Sequence, residues 1–285
     1  MRSGRESCDK LGRDKTSIVV DRHRRYRSPV ASTVLSSRSG VLWTGSVTVR
    51  VRPWPHRNDM AHLVLSGAHD EGSALPHPDV IADWMRDLAA VGYTTVRTTA
   101  VAPANAARLT QVGFTQCQAL DLLSLVIDDS IVEQPPSDIG IRSVLTVGRR
   151  LLPSSARRLE DIDRRSFGDE WSLDAVSLRE AVRATHVSTV FTIGQGRPHG
   201  FVIAGHTRGV GYIQRLAVAP DHQRRGSGTA LMAVAYRWLR RQRCSQIVVN
   251  TETDNAAALG LYAKFGFRRL PDGLSVLQRD VKTVY

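Results

Sequence analysis

Two stretches of this chain carry the same punctuation: TTVRTTAVAPANAARLTQVGF, from Thr94 to Phe114, and QIVVNTETDNAAALGLYAKFGF, from Gln246 to Phe267. Each reads as a β-rich run, an Asn-Ala-Ala helix start and a Gly-Phe turn. Matched spacing of these three signals implies a duplicated supersecondary unit, which restricts the fold to two copies of one plan. Between the copies, DDSIVEQPPSD at residues 128–138 breaks the apolar periodicity with acids and two prolines, and reads as a linker. The chain therefore divides into a first half of residues 45–127 and a second half of residues 139–285, with enough length for two cores.

Strands and helices alternate irregularly, so the expected class is α+β, with two tandem, mixed but mostly antiparallel sheets flanked by helices. In the second half the pattern predicts a strand at Ile139–Val144 and helices at Ser155–Phe167 and Asp174–Ala184. Strands follow at Ser188–Ile193, Gly200–Ala204 and Tyr212–Ala219, the first three-strand run being joined by hairpin turns at Gly194–Gly196 and His206–Gly209. A helix from Gly228 to Arg241 turns Leu231, Val234, Ala235, Trp238 and Leu239 onto one apolar stripe. Arg240, Arg241 and Arg243 at its end suit the negative pole of the helix dipole and need no ligand.

The net charge of +12 is concentrated at the start of the chain. Met1 to Asn58 hold thirteen Lys and Arg against four acids, and residues 1–40, rich in Arg and Ser, show no sustained period. That segment reads as a disordered basic arm, either a solvated tail or a strand that meets RNA or DNA through phosphate contacts. No apolar run approaches the roughly 20 residues that span a bilayer, and no signal-peptide pattern opens the chain, so a cytoplasmic location is expected. Cys8, Cys117 and Cys244 lie far apart without metal-ligand spacing, so neither a disulfide framework nor a metal site is expected. Oligomeric state has no sequence signal.

The chemistry gathers at QRRGSG, from Gln223 to Gly228, between a strand and a helix. Gly226 and Gly228 let the backbone approach a diphosphate, the helix start adds unclaimed N–H groups, and Arg224 and Arg225 add charge. The Gly-Lys-Ser/Thr ending of an ATP-type loop is missing, as is the GxGxxG of dinucleotide folds.

Taken with its surroundings, LAVAPDHQRRGSGTAL followed by VVNTETDNAAALGLYAKFGF resembles the GNAT superfamily of acyl-CoA-dependent N-acetyltransferases, over about 140 residues. Gln223, Gly226, Gly228, Asn255, Tyr262, Gly266 and Phe267 occupy the places of the family pattern. The resemblance implies two GNAT-like sheets and acetyl-CoA as acyl donor, with its pyrophosphate on the amides of Gln223, Arg224, Arg225, Gly226, Ser227, Gly228 and Thr229. It also implies a pantetheine arm along Leu216, Ala217 and Val218, on a strand splayed from its neighbour, and a cofactor contact from Asn255, which is also a good N-cap. Tyr262 is similar to the family's proton donor to the departing sulfur.

The base stays open, because relatives that acetylate protein N-termini carry a glutamate where this chain has Asn250. Strand alternation puts Asn250 and Glu252 on one face, and Glu252 is the nearest carboxylate that can relay a proton through water. Tyr212 and Gln214, expected on the face of Leu216, line the amine pocket in this reading, together with Asn250, Glu170 and Trp171 of FGDEW. The two-half arrangement is similar to that of mycothiol synthases, while the Leu-Tyr-x-Lys-x-Gly-Phe pattern equally resembles enzymes acting on protein N-termini. The partners implied are acetyl-CoA and an amine, of a small molecule or a protein N-terminus, without a membrane. A second class is a non-catalytic acyl-CoA-binding regulator that touches nucleic acid through its arm.

The halves differ where a phosphate would bind. HDEGSALPH places Asp70 and Glu71 where the second half has QRRGSG, and the helix Asn105–Gly113 is three residues shorter than Asn255–Gly266 and lacks a tyrosine. The first half thus reads as a degenerate copy that supports the second.

Overall fold

Alternation of Val49 and Val51, buried, with Arg50 and Arg52 marks a strand with one apolar face, and the first half is built on it. The computed structural model describes residues 38–45, 47–67, 75–127, 140–144, 146–147 and 150–281. The basic arm up to residue 37, Asp70 and Glu71, and the 128–138 linker lie outside the described residues. The first half comprises β1 (Gly40–Thr44), β2 (Thr48–Trp54), β3 (Arg57–Ser66), α1 (Pro78–Ala90), β4 (Thr95–Thr98), α2 (Pro103–Gln111) and β5 (Thr115–Val126). The second begins with β6 (Ile141–Ser143), the small hairpin β7 (Thr146–Val147) and β8 (Arg150–Leu151), α3 (Pro153–Trp171) and α4 (Ala175–Arg183). It continues with β9 (Val187–Ile193), β10 (Gly200–Thr207), β11 (Val210–Val218), α5 (Ser227–Arg241), β12 (Gln246–Glu252), α6 (Ala256–Lys264), β13 (Arg268–Arg269) and β14 (Leu274–Asp280).

The two expected sheets meet as one 12-stranded sheet, in the order β1-β2-β3-β4-β14-β5-β12-β11-β10-β9-β6, with β13 also on β5. Pairing is antiparallel except at β3/β4 and β11/β12. The halves are joined by an exchange of strands. β14, the last strand of the chain, lies between β4 and β5 of the first half, and β5 in turn pairs with β12 of the second along Gln246–Glu252. Each half thus supplies a strand that completes the other's sheet.

Apolar side chains form three clusters on this sheet. One lies under α1 and α2, around Leu63, Ile81, Leu88, Tyr93 and Phe114, with Leu277 of β14. α5 and α6 cover a second, around Val202, Leu231, Leu239, Ile247 and Phe265. α3 and α4 cover a third on the opposite face, around Leu159, Ile162, Leu178, Phe201 and Ala217. In α5 the buried stripe includes Met232 and Tyr236, whereas Val234 and Trp238 of the expected stripe are only half-buried.

The repeat persists in the structure, but one of its signals does not. α2 and α6 are both nine residues long and both end two residues before a Gly-Phe, so the expected three-residue difference is absent. Pro103 at the first turn starts α2 after Ala102. Asn105 therefore sits inside the helix, 2% exposed, where Oδ1 accepts the Leu75 N–H at 3.2 Å. Asn255 does cap α6, accepting the Ala258 N–H at 3.0 Å.

Ending the chain at Asp272 removes β14, which leaves β4 paired on one side only, with β3, and the first part of β5 without a partner. Such a truncation is expected to raise hydrogen exchange in β4 and to abolish a single cooperative unfolding transition. Retained protection at Val96 together with one sharp melt would show the strand exchange to be dispensable.

Candidate functional site

β11 and β12 run parallel yet pair only at Val210–Gln246, Gly211–Ile247 and Tyr212–Val248. The cause lies two residues further along β11. Against β10, Ile203 faces Arg215 and Ala204 faces Ile213, so Gln214 is an extra residue, a β-bulge. A bulge bends its strand and tightens its twist. Beyond it β11 leaves β12, and a fork opens along Leu216, Ala217 and Val218.

The bulge also corrects the expected side-chain alternation. Gln214 donates from Nε2 to Thr185 Oγ1 at 3.2 Å and Arg215 reaches Asp163, so both point to the α3–α4 side. Leu216 packs with the α5-side cluster instead. Tyr212 and Gln214 therefore do not share the face of Leu216. Gln214 Oε1 is buried without a partner.

At the tip of the fork, the loop Gln223–Gly226 is exposed and leads into α5. Gly226 takes φ 84°, a left-handed conformation open to glycine at no steric cost. Among the described residues no side chain caps this helix, and its first internal bond is Ala230 N–H to Gly226 O. The amides of Ser227, Gly228 and Thr229 precede that bond, so they and the positive end of the helix dipole can hold an anion. A Cβ at Gly226 would meet nothing within 4 Å, and one at Gly228 only Leu261 Cδ2 at 3.5 Å. The chain itself thus leaves the surface over this turn uncovered. Gln223 spends its side-chain Nε2 on Val218 O at 2.9 Å and its backbone N–H on Pro220 O at 3.2 Å, so the amide expected on the pyrophosphate is already committed within the loop. Arg224 and Arg225 are exposed.

Two histidines join this loop that the sequence did not point to. His199 stacks on His222 with centroids 4.0 Å apart, and its Nε2 lies 3.3 Å from Ser227 Oγ. Burial, then the neighbouring His222, holds His199 below the ordinary imidazole range. The contact links positions 28 residues apart, and no local pattern announces it.

On the other arm, Tyr262 of α6 is 5% exposed and packs on Phe267 at 5.4 Å. Burial pushes its phenol up to about 12, opposed by the Arg215 charge across the fork. Glu252 is half-buried, and Gln118 of β5 donates to its Oε1 at 2.6 Å. Asn250 is exposed on the same strand. The side-chain oxygen of Asn255 is committed to its cap, leaving its amide nitrogen to offer.

Glu170 and Trp171 close α3 after a break at Gly168, whose φ of 72° and ψ of 174° are not helical. FGDEW is therefore part of a kinked helix rather than a turn. Trp171 O accepts from Arg215 Nη2 at 2.9 Å, and Arg215 forms a two-pronged pair with Asp163 at 2.7 and 2.7 Å. Asp163 is fully buried and also accepts the Leu173 N–H. This pair fixes the end of α3 against β11.

Glu170 and Trp171 also meet the first half, in a row of polar residues that the sequence reading missed. Arg52 of β2, His62 of β3, Arg97 of β4 and Gln278 of β14 are lateral neighbours in the sheet. Arg97 donates to Gln278 Oε1 and to Glu170 Oε1, with Trp54 and Trp171 rings at 4.8 and 4.6 Å from its guanidinium. Burial, followed by the charges of Arg52 and Arg97, lowers His62 to about 3.

Residues 156–267 match the profile of the acetyltransferase (GNAT) family. This chain carries a GNAT acetyltransferase domain. Over 60 residues the chain is 38% identical to N-alpha-acetyltransferase 30 of Saccharomyces cerevisiae, covering 21% of this chain and 34% of that protein. A 117-residue stretch is 33% identical to mycothiol acetyltransferase of Amycolatopsis mediterranei, covering 40% of this chain and 36% of that one. The similarity thus spans only about a third of either relative. Over 87% of its length the chain superposes on 85% of a tandem GNAT protein from the clavulanic acid biosynthesis pathway, with TM-score 0.59 and 14% identity. A GCN5-related N-acetyltransferase from Sphaerobacter thermophilus gives 0.57 and 14%, over 83% and 77% of the two chains. At that identity the likeness is one of fold. No helix among the described residues is long and apolar enough to cross a membrane.

Because His62 is held neutral in the fold but takes a proton near 6.5 when unfolded, the unfolded chain binds more protons between those values. Its contribution is complete above pH ~6.5 and is lost as pH falls toward 3, a total of ~5 kcal/mol, of which ~3 kcal/mol is lost by pH 4. Denaturant unfolding from pH 7 to pH 4 is expected to show that fall, and His62→Gln to flatten it.

Proposed function

We propose that the second half transfers the acetyl group of acetyl-CoA to a primary amine, of a small molecule or a protein N-terminus, by direct attack on the thioester. The observation that carries this reading is the fork between β11 and β12, with an uncapped helix start at its tip and a buried phenol on its inner wall. The same proposal assigns catalysis to residues 139–285 and a supporting role to residues 45–127. One contrast supports that division. β3 and β4 stay paired through Leu63–Thr98, and the next amide, Leu65 N–H, is taken by Thr99 Oγ1 at 3.1 Å, so the first half forms no comparable fork.

Acetyl-CoA supplies an activated acyl carbon and a thiolate leaving group. The amides of Ser227, Gly228 and Thr229 bind its diphosphate, with Arg224 and Arg225 adding charge, and the uncovered turn fits such a group. Leu216–Val218, freed from β12, offers main-chain hydrogen bonds to the pantetheine arm, and Asn255 offers its amide nitrogen.

An amine with a pKa near ~10 sheds a proton before its nitrogen can attack. Glu252, oriented by Gln118, relays that proton through water. The N–C bond forms as the C–S bond breaks, and Tyr262, protonated across the working pH range, donates a hydrogen bond to the departing sulfur. Arg215, across the fork on β11, opposes the rise of the phenol and stabilises negative charge near it. A non-catalytic acyl-CoA-binding regulator is the second reading. It is favoured by the exposed Asn250 where relatives hold a glutamate, and by a Glu252 already occupied by Gln118.

Two variants test the assignment. Gly226 is a poor place for a side chain because of its positive φ, whereas Gly228 tolerates one. Gly228→Asp is expected to keep the native melting temperature within a few degrees and to weaken CoA binding by at least ~100-fold, by setting a carboxylate against a phosphate. Unchanged affinity in calorimetry would reject the site. Tyr262→Phe is expected to slow single-turnover thiol release by ~10-fold or more with little change in CoA affinity. Tight CoA binding without turnover on any amine would select the regulator.

A further inference from the structure

Three of the buried polar atoms that lack partners lie side by side, while Gln214 Oε1, Ser172 Oγ and His206 Nε2 lie elsewhere. Arg52 Nε, His62 Nδ1 and Arg97 Nη1 are all buried without a hydrogen-bond partner, and they belong to the lateral row β2-β3-β4. Leaving three such groups dry and unpaired is costly, and adjacency in one row marks a place built for a ligand. Arg52 is already engaged by Ser177 Oγ at 2.9 Å, Glu180 at 3.2 Å and Asp174 at 4.0 Å, so the positive charge open to a ligand is that of Arg97, beside a neutral imidazole. The Trp54 and Trp171 rings, nearly perpendicular to each other, lie 4.8 and 4.6 Å from the Arg97 guanidinium, and its side chain is 6% exposed. That leaves its edge for recognition, where Nη1 is unused.

That edge has one internal carboxylate. Glu170 accepts only from Nη2, at 3.0 Å, and its own side chain is 62% exposed at the rim. A carboxylate that took both Nη1 and Nη2 would form the two-pronged pair that Glu170 does not. Glu170 stands beyond the Gly168 break, where a Cβ would meet nothing within 4 Å, so the segment that closes the row has a hinge and room beside it. The next residue ties this edge to the reaction centre. Trp171 lies against Arg97 with its ring and accepts from Arg215, on the wall of the fork, with its carbonyl.

We propose that Arg97, with His62 and Arg52 beside it, anchors a carboxylate of the acceptor, and that Glu170 is the internal group which that carboxylate displaces. The acceptor is then an amino compound that carries a carboxylate, with its amine in the fork and its acid end on the first half. This rests on the acetyltransferase reading above, and it gives the first half a role in specificity.

Calorimetric binding to the full chain compares the protein amino acids and short ω-amino acids with the same compounds as carboxamides, alongside thiol release from acetyl-CoA. At least one carboxylate is expected to bind ~10-fold or more tightly than its carboxamide, since the amide leaves a charged donor poorly matched. Arg97→Gln is expected to bring that ratio to about one, and Arg97→Lys, which keeps the charge without the fork of donors, to lose most of it. Glu170→Gln is expected to tighten carboxylate binding several-fold by removing the internal competitor, a gain that a merely structural Glu170 would not give. No preference for any carboxylate, or a preference that survives Arg97→Gln, overturns the anchor. Carboxylate preference without thiol release keeps the anchor and removes the transfer reaction, whereas thiol release without the preference removes the anchor alone.

Discussion

The bulge at Gln214 is the constraint on which the site depends. Parallel strands with a full ladder present no backbone to a ligand, because each amide and carbonyl is already paired. One additional residue bends β11 away from β12 after three paired positions, and the same bend turns Gln214 and Arg215 toward α3 while Leu216 turns toward α5. A single backbone irregularity thus opens the fork, sets its tip at the start of α5 and places a guanidinium on its wall. In the first half, β3 and β4 stay zipped, and the difference between the halves is a difference in hydrogen bonding before it is one in side chains.

The exchange of β14 and β5 makes the two halves one cooperative object. β5 belongs to the first half in sequence but carries Gln118 to Glu252 of the second. β14 belongs to the second but closes the sheet next to Arg97 and holds its guanidinium through Gln278. Each half thus sets a side chain against a polar group of the other, Gln118 on Glu252 and Gln278 on Arg97. Arg215–Asp163, with Asp163 fully buried, depends on its exact partner, since either group alone would be an unpaired buried charge.

Much of the second half was legible from local pattern. The Gly194–Gly196 and His206–Gly209 turns join β9, β10 and β11 as hairpins, and the glycines of QRRGSG lie between strand and helix, with Gly226 in the left-handed region. Asn255 caps its helix because a short side-chain oxygen followed by three helix formers is a local signal. The same signal misled at Asn105, where Pro103 had already started the helix and the asparagine serves Leu75 instead. Arg97 was invisible for the opposite reason. Thr95–Thr98 reads as any short strand, yet all four residues are buried because α3 and two tryptophans cover the face that would otherwise meet solvent.

What the sequence determined by itself was the repeated unit, the order of strands and helices in the second half and the glycine turn that opens α5, because each is written in residues within a few positions of one another. Only the tertiary structure decided the fork, the exchanged strands, the stacked His199 and His222, and the polar row from Arg52 to Gln278. Those depend on where an extra residue interrupts a ladder and on which distant segment lies alongside. Neither leaves a period or a spacing in the chain, since the energy of a contact depends on proximity in space and not on separation along the backbone.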